Sequence, residues 1–96
     1  MNQELEHQML ILWLNLFSAV RKYAEDQKTF YLSVEPWNCD STEVKSVWLE
    51  LTKPEHYEYL EESLAVNQKM LTDPRLRELN VKWTQAALEE CKLRKI

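Results

Sequence analysis

The feature that most constrains the fold of this chain of 96 residues is the complete absence of glycine. Phosphate-cradling loops, the dinucleotide-binding fingerprint, the nucleophile elbow and the EF-hand loop all depend on glycine, so the sequence excludes each of them. Hairpin turns and helix C-caps that use glycine are excluded as well, which leaves asparagine, aspartate and longer loops for those positions. Because glycine is costly inside helices, its absence favours a helix-rich protein.

The clearest helix is predicted from about residue 3 to residue 26. Apolar residues recur along it at helical spacing and form one stripe: Leu5, Met9, Leu12, Trp13, Leu16 and Val20. Four further apolar residues lie off that stripe: Leu10, Ile11, Leu14 and Phe17. Between residues 9 and 17 the helix is therefore apolar on most sides. A helix of this kind is either central in its fold or contacts something on two faces.

Two segments in the middle of the chain predict a small hairpin. Residues 29–34 alternate and are rich in strand-forming side chains, so they predict a strand that ends before Pro36. Residues 43–51 are ambiguous, because Val44, Val47, Trp48 and Leu51 follow helical spacing whereas Val47, Leu49 and Leu51 alternate. A strand at 29–34 needs a partner for its backbone hydrogen bonds, and 45–51 is the only other candidate, which favours the hairpin.

The remainder of the chain is predicted to be helical. Thr52 and Glu55 are placed as a capping box, with Pro54 in the first turn, for a helix to about residue 71. Asp73 with Pro74 caps a last helix that runs to about residue 95. The predicted order is helix, strand, strand, helix, helix, which is a mostly helical α+β fold with a small hairpin. The alternative is an all-α bundle in which residues 41–52 are helical.

Length and cysteine usage predict a single cytoplasmic domain. A chain of this size is one domain, residues 1–96, without a linker. Its N-terminus is acidic rather than basic, which argues against a secretory signal, and the apolar run at 9–17 is shorter than the roughly 20 residues of a membrane span. Cys39 and Cys91 do not make a disulfide framework, so we expect free thiols, a reducing compartment and no membrane.

The sequence carries no recognisable catalytic, cofactor or metal-binding motif. His7 and His56 stand alone, without the paired or clustered ligands that a metal site needs. No residue pattern supplies a base that would activate Cys39 or Cys91 as a nucleophile. We therefore expect no cofactor and a protein that is not an enzyme.

Charge is distributed unevenly along the chain. The net charge of −4 argues against nucleic-acid binding, which ordinarily uses a strongly basic face. Glu55, Glu58 and Glu62 predict an acidic helix face that would gain from a cationic partner. Arg75 and Arg77 lie in the first turn of their helix, where the dipole disfavours cations. We expect them to pair with that acidic face, and the alternative is a role in binding.

These observations favour a non-enzymatic protein–protein interaction protein, acting as a small adaptor, inhibitor or regulatory subunit on a larger protein. Its partner is another protein or a second copy of itself. The residues expected at the interface are large apolar side chains and the acidic face: Leu10, Trp13, Leu14, Phe17, Trp37, Glu55, Glu58 and Glu62. The alternative is a small ligand-binding or catalytic domain whose site is scattered along the chain, lined by Trp37, Tyr57, Tyr59 and glutamates.

Overall fold

The computed structural model describes residues 3–29 and 34–95 of the chain. Over these residues it has four α-helices: α1 (Gln3–Asp26), α2 (Thr42–Leu51), α3 (Tyr57–Met70) and α4 (Pro74–Arg94). Short 3-10 turns, Pro36–Asn38 and Pro54–His56, precede α2 and α3. None of the described residues lies in a strand, so the predicted α+β fold is wrong and the described part of the chain is all-α, with residues 42–51 helical as in the alternative.

Residues 43–51, predicted as the second strand of a hairpin, lie in helix α2. Ser41 caps the helix, because its Oγ accepts a hydrogen bond from the backbone N–H of Val44 at 3.3 Å. The residues of α2 that follow helical spacing are buried: Val44, Trp48 and Leu51. Leu49, which strand alternation would place on the same side as Leu51, is exposed. The 3.6-residue period therefore decides the structure of this segment.

The hairpin prediction failed because it depended on a pairing argument. Its first strand was assigned to residues 29–34, of which residues 30–33 lie outside the described residues. Thr29 and Val34, at the two ends of that segment, are not in a strand. The need of one strand for a partner is not evidence that another segment is a strand. Residues 45–51 lie in helix α2, where their backbone N–H and C=O groups pair along the helix instead.

The chain divides into two compact units, Met1–Leu51 and Thr52–Ile96. The first unit contains α1 and α2, and the second contains α3 and α4. Each unit is a pair of packed helices with its own buried side chains. The expectation of a single domain without a linker stays a prediction.

In the first unit, α1 packs against α2. The helix has the bounds that the sequence predicts, and the described members of its apolar stripe are buried or half-buried. The buried ones are Met9, Trp13, Leu16 and Val20. Full burial of a side chain of this size contributes about 1.5–3 kcal/mol relative to leaving it in water, so this stripe is the main source of stability for α1.

Helix α1 ends in a Schellman motif that uses lysine where most helices use glycine. The backbone N–H of Thr29 donates to the carbonyl of Ala24 at 2.6 Å, and that of Lys28 donates to the carbonyl of Glu25 at 3.1 Å. This pattern requires a left-handed residue at the position of Lys28, whose φ is 55°. Since the chain has no glycine, a residue with a Cβ atom occupies a conformation that disfavours it.

In the second unit, α3 and α4 form a helical hairpin. As predicted, Asp73 and Pro74 begin the second helix: Oδ1 of Asp73 accepts the backbone N–H of Arg75 at 2.9 Å, and Pro74 occupies the first turn. The buried apolar residues of the hairpin are Leu60, Leu79, Trp83, Ala87 and Cys91. Trp83 is the largest of them, and it is fully buried.

At its open end, the hairpin is held by contacts from the last turns of α4. Nη1 of Arg94 donates to Oγ1 of the buried Thr52 at 2.9 Å, and Sγ of Cys91 donates to the carbonyl of Lys53 at 3.4 Å. The N-cap residue of the 3-10 turn before α3 is Lys53 rather than the predicted Thr52, and its side chain makes no capping hydrogen bond. Arg94 and Cys91 therefore connect the last turns of α4 to the segment that leads into α3.

Candidate functional site

Helix α1 presents a second apolar face to solvent, on the side away from its buried stripe. Leu10 and Leu14 are each 56% exposed, and Ile11 is 42% exposed. Because these residues are spaced by three and four positions, they are neighbours on the helix surface. The interface predicted from the sequence included Leu10 and Leu14 and missed Ile11, although Ile11 also lies off the stripe. We call Leu10, Ile11 and Leu14 the solvent face of α1.

The other two predicted interface residues of α1 lie elsewhere on the helix. Trp13 is 5% exposed and belongs to the buried stripe, where its indole Nε1 has no hydrogen-bond partner in the described part of the chain. Phe17 is half-buried, at the border between the two faces. Of the four interface residues predicted on α1, only Leu10 and Leu14 are therefore fully available to another molecule without rearrangement of the core.

Trp37, also predicted at the interface, packs inside the first unit. It lies in the 3-10 turn before α2, and its ring is 5.7 Å from that of Trp48, tilted by 43°. Aromatic pairs in such geometry contribute about 0.5–1.5 kcal/mol beyond the area they bury. Trp37 is half-buried, so part of its ring stays in contact with solvent. The contact between Trp37 and Trp48 therefore holds the 3-10 turn against α2.

The acidic residues predicted on the second unit are all exposed. Glu55 lies in the 3-10 turn, and Glu58 and Glu62 lie one turn apart on α3. Carboxylates spaced by four residues on a helix repel each other, at a cost of about 0.2–0.5 kcal/mol. We call Glu55, Glu58 and Glu62 the acidic face of α3. Its charge is directed to solvent.

Arg75 and Arg77 do not neutralise the acidic face of α3. Neither arginine lies within ion-pair distance of a carboxylate among the residues that the structure describes. Arg77 instead donates from Nε to the carbonyl of Leu71 at 3.0 Å, across the turn between the two helices. The expected pairing is therefore not found, and Arg77 instead stabilises the turn between α3 and α4.

Two exposed apolar residues continue along α3 from its acidic face. Val66 follows Glu62 by four residues and is 51% exposed, and Met70 follows by four more and is 72% exposed. Residues with this spacing lie along one side of a helix. The exposed side of α3 is thus acidic at its start and apolar at its end.

The tyrosines of the alternative, scattered site belong to the second unit, whereas Trp37 belongs to the first. Tyr57 is half-buried, and the Nζ atom of Lys92 lies 5.8 Å from its ring centroid, which is a cation–π contact. Tyr59 is also half-buried. The observed contact of Tyr57 joins the two helices of the hairpin.

A cleft of about 400 Å³ lies in the first unit, between the end of α1 and the start of α2. Sequence reasoning did not identify it, because its lining comes from two separate segments: Ala19, Lys22, Tyr23, Asp26, Gln27, Asp40, Ser41 and Glu43. The lining is mostly polar, whereas ligand pockets are mostly apolar with a few polar groups. Among the described residues, no three histidine, cysteine or acidic side chains are grouped so as to hold a metal ion.

Both cysteines are free, and both are buried. Burial raises the pKa of the Cys39 thiol, and the nearby carboxylate of Asp40 raises it further. Burial also raises the pKa of the Cys91 thiol, against the opposing charge of Arg94. Neither environment favours the thiolate that a nucleophilic cysteine requires.

None of the helices in the described part of the chain combines the length and the apolar composition needed to cross a bilayer. Comparison with models of protein families, with curated proteins and with solved structures finds no match.

Proposed function

We propose that this chain is a non-enzymatic protein–protein interaction protein, which acts as a small adaptor, inhibitor or regulatory subunit on a larger protein. The observation that supports this most strongly is the solvent face of α1. Leu10, Ile11 and Leu14 form a contiguous apolar surface in the middle of a helix whose opposite side already supplies the buried stripe. Contiguous exposed apolar residues are a recurrent feature of protein interfaces.

The three side chains of the solvent face of α1 contribute free energy to binding when another molecule covers them. Full burial of a leucine or isoleucine contributes about 1.5–3 kcal/mol, and about half of each side chain is already covered, so the three together offer roughly 2–5 kcal/mol to binding. Polar residues at the same helical positions would cost the isolated fold little. The apolar residues are thus explained better by a contact with another molecule than by the stability of α1.

The acidic face of α3 supports a second, electrostatic contact. Exposed carboxylates without an intramolecular cation raise the rate of association with a cationic partner, and salt screens this effect. Glu58 and Glu62 are exposed and keep their mutual repulsion. We therefore propose that the larger protein presents a basic surface to α3. We also propose a cytoplasmic location, which the two free thiols support.

A photo-crosslinking amino acid at position 14 tests this function in cells of the native host. The matched control is position 49 on α2, because Leu49 is 53% exposed and Leu14 is 56% exposed. We expect covalent adducts with protein from position 14 and none above background from position 49. The absence of adducts from position 14, or equal adducts from both positions, would contradict the proposal.

A further inference from the structure

The proposed function assigns a binding role to the solvent face of α1, and the charges along that helix point to its occupant. Resting on that assignment, we infer that the face is covered by a second copy of this chain, whose α1 packs antiparallel to the first.

The apolar residues suit a two-fold pair. When two identical surfaces meet about a two-fold axis, each residue faces a defined residue of the other copy. If the axis passes midway between Ile11 and Leu14, Ile11 of each copy faces Leu14 of the other, so the two contacts are the same by symmetry. Both side chains are exposed before the contact forms. Ile11 and Leu14 are therefore complementary to each other across this axis, and Leu10 of each copy lies opposite Asn15 of the other.

The charged residues select the antiparallel arrangement. Glu4 and Arg21 are exposed and lie equally far along α1 on either side of that midpoint. An antiparallel pair brings Glu4 of each copy opposite Arg21 of the other, which gives two attractive contacts. A parallel pair would instead bring Glu4 opposite Glu4 and Arg21 opposite Arg21. Like charges across an interface oppose association, whereas opposite charges favour it and fix the register.

Arg21 already contacts a carboxylate on its own helix. Its Nε lies 3.3 Å from Oε1 of Glu25, with the two side chains 69% and 67% exposed. An ion pair as exposed as this one is weak. The guanidinium carries five N–H donors, so Arg21 can donate to Glu25 of its own helix and to Glu4 of a second copy at the same time.

The expected dimer is weak, because a single helix-to-helix contact covers less surface than the roughly 800 Å² per partner of a stable complex. It should therefore dissociate on dilution through the micromolar range.

Sedimentation equilibrium at low salt tests the inference with the intact chain. We expect the wild type to dimerise and Leu14→Glu to be monomeric with an unchanged circular dichroism spectrum, because Leu14 is exposed. The matched control is Leu49→Glu, which should dimerise as the wild type does.

Charge exchange tests the antiparallel register. Glu4→Lys and Arg21→Glu should each weaken dimerisation by about 3–10-fold, because either change turns both end contacts repulsive. An equimolar mixture of the two variants should restore it, since each mixed dimer pairs opposite charges at both ends. If each variant alone matches the wild type and the mixture exceeds it, the pair is parallel and the inference is wrong.

The remaining outcomes separate this inference from the proposed function. A wild type that stays monomeric at every concentration overturns the inference that a second copy covers the solvent face of α1. A Leu14→Glu variant that still dimerises overturns it as well. If position 14 then forms adducts with a different protein, the proposed function stands and only its occupant is wrong. If position 14 forms no adducts, both proposals fail.

Discussion

The left-handed lysine at the end of α1 offers the sharpest test of local structure in the first unit. Lys28 has φ 55° and occupies the position where a Schellman motif usually has glycine. Replacement by glycine removes the Cβ atom and leaves both hydrogen bonds of the motif in place. We therefore expect Lys28→Gly to stabilise the protein, although glycine ordinarily destabilises a helix.

The magnitude follows from two opposing terms. The left-handed conformation costs a residue with a Cβ atom roughly 1–2 kcal/mol, and Lys28→Gly removes that cost. Glycine has more conformational freedom than lysine in the unfolded chain, and this lowers the stability of the folded state by about 0.5–1 kcal/mol. The net gain is about 0.5–1 kcal/mol, and each 1 kcal/mol corresponds to about 4–8 °C in Tm for a domain of this size.

Urea unfolding monitored by circular dichroism measures this gain, with Lys28→Ala as the matched control. Alanine removes the same charge and the same long side chain but keeps the Cβ atom, so it isolates the backbone effect. We expect the glycine variant to be about 1 kcal/mol more stable than the alanine variant. Equal stability of the two variants would refute a left-handed residue at position 28 and a Schellman motif at the end of α1.

Four further predictions concern buried groups, the acidic face and the pH dependence of stability. Thr84 is fully buried, and its Oγ1 has no hydrogen-bond partner in the described ranges. Thr84→Val should therefore stabilise the protein by about 1 kcal/mol, measured by urea unfolding. A loss of stability would mean that the hydroxyl has a partner. Glu62→Lys should raise stability by about 0.3–1 kcal/mol, because it replaces repulsion by Glu58 with attraction, and a destabilised variant would contradict an exposed acidic face. Cys39 and Cys91 should react with iodoacetamide far more slowly than a free thiol at pH 8 and should both titrate after denaturation. Because folding raises the pKa of these thiols, their contribution to stability is complete below the ordinary thiol pKa and declines as the pH rises through the raised values, which urea unfolding between pH 7 and 10 measures.

Sequence patterns predicted the long helices because those helices repeat a signal over many residues. Helix α1 has the predicted bounds, since its apolar stripe extends over most of its length. The start of α4 was also predicted correctly, because Asp73 and Pro74 form a local cap that needs no information from the rest of the fold. Helix α2 is short and its apolar residues fit both periods, so the choice fell to an argument about strand pairing, and that argument was wrong.

The candidate site was predicted in part, for a related reason. A residue that lies off the buried stripe is exposed unless another element covers it, and this rule located Leu10 and Leu14. Trp13 was assigned both to the stripe and to the interface, and the structure places it in the core because the stripe faces α2. Local sequence cannot show where a long side chain ends, and Arg77 reaches a backbone carbonyl at Leu71 rather than a glutamate.

The central claim is that a second copy of this chain covers the solvent face of α1, and methyl NMR spectra recorded through a dilution series test it most directly. Leu49 and Leu93 serve as internal controls, because they are 53% and 65% exposed and lie on other helices. We predict that the methyl signals of Leu10, Ile11 and Leu14 shift with concentration while those of Leu49 and Leu93 stay fixed. Shifts confined to Leu49 or Leu93, or no shift at any of the five residues, would contradict the claim.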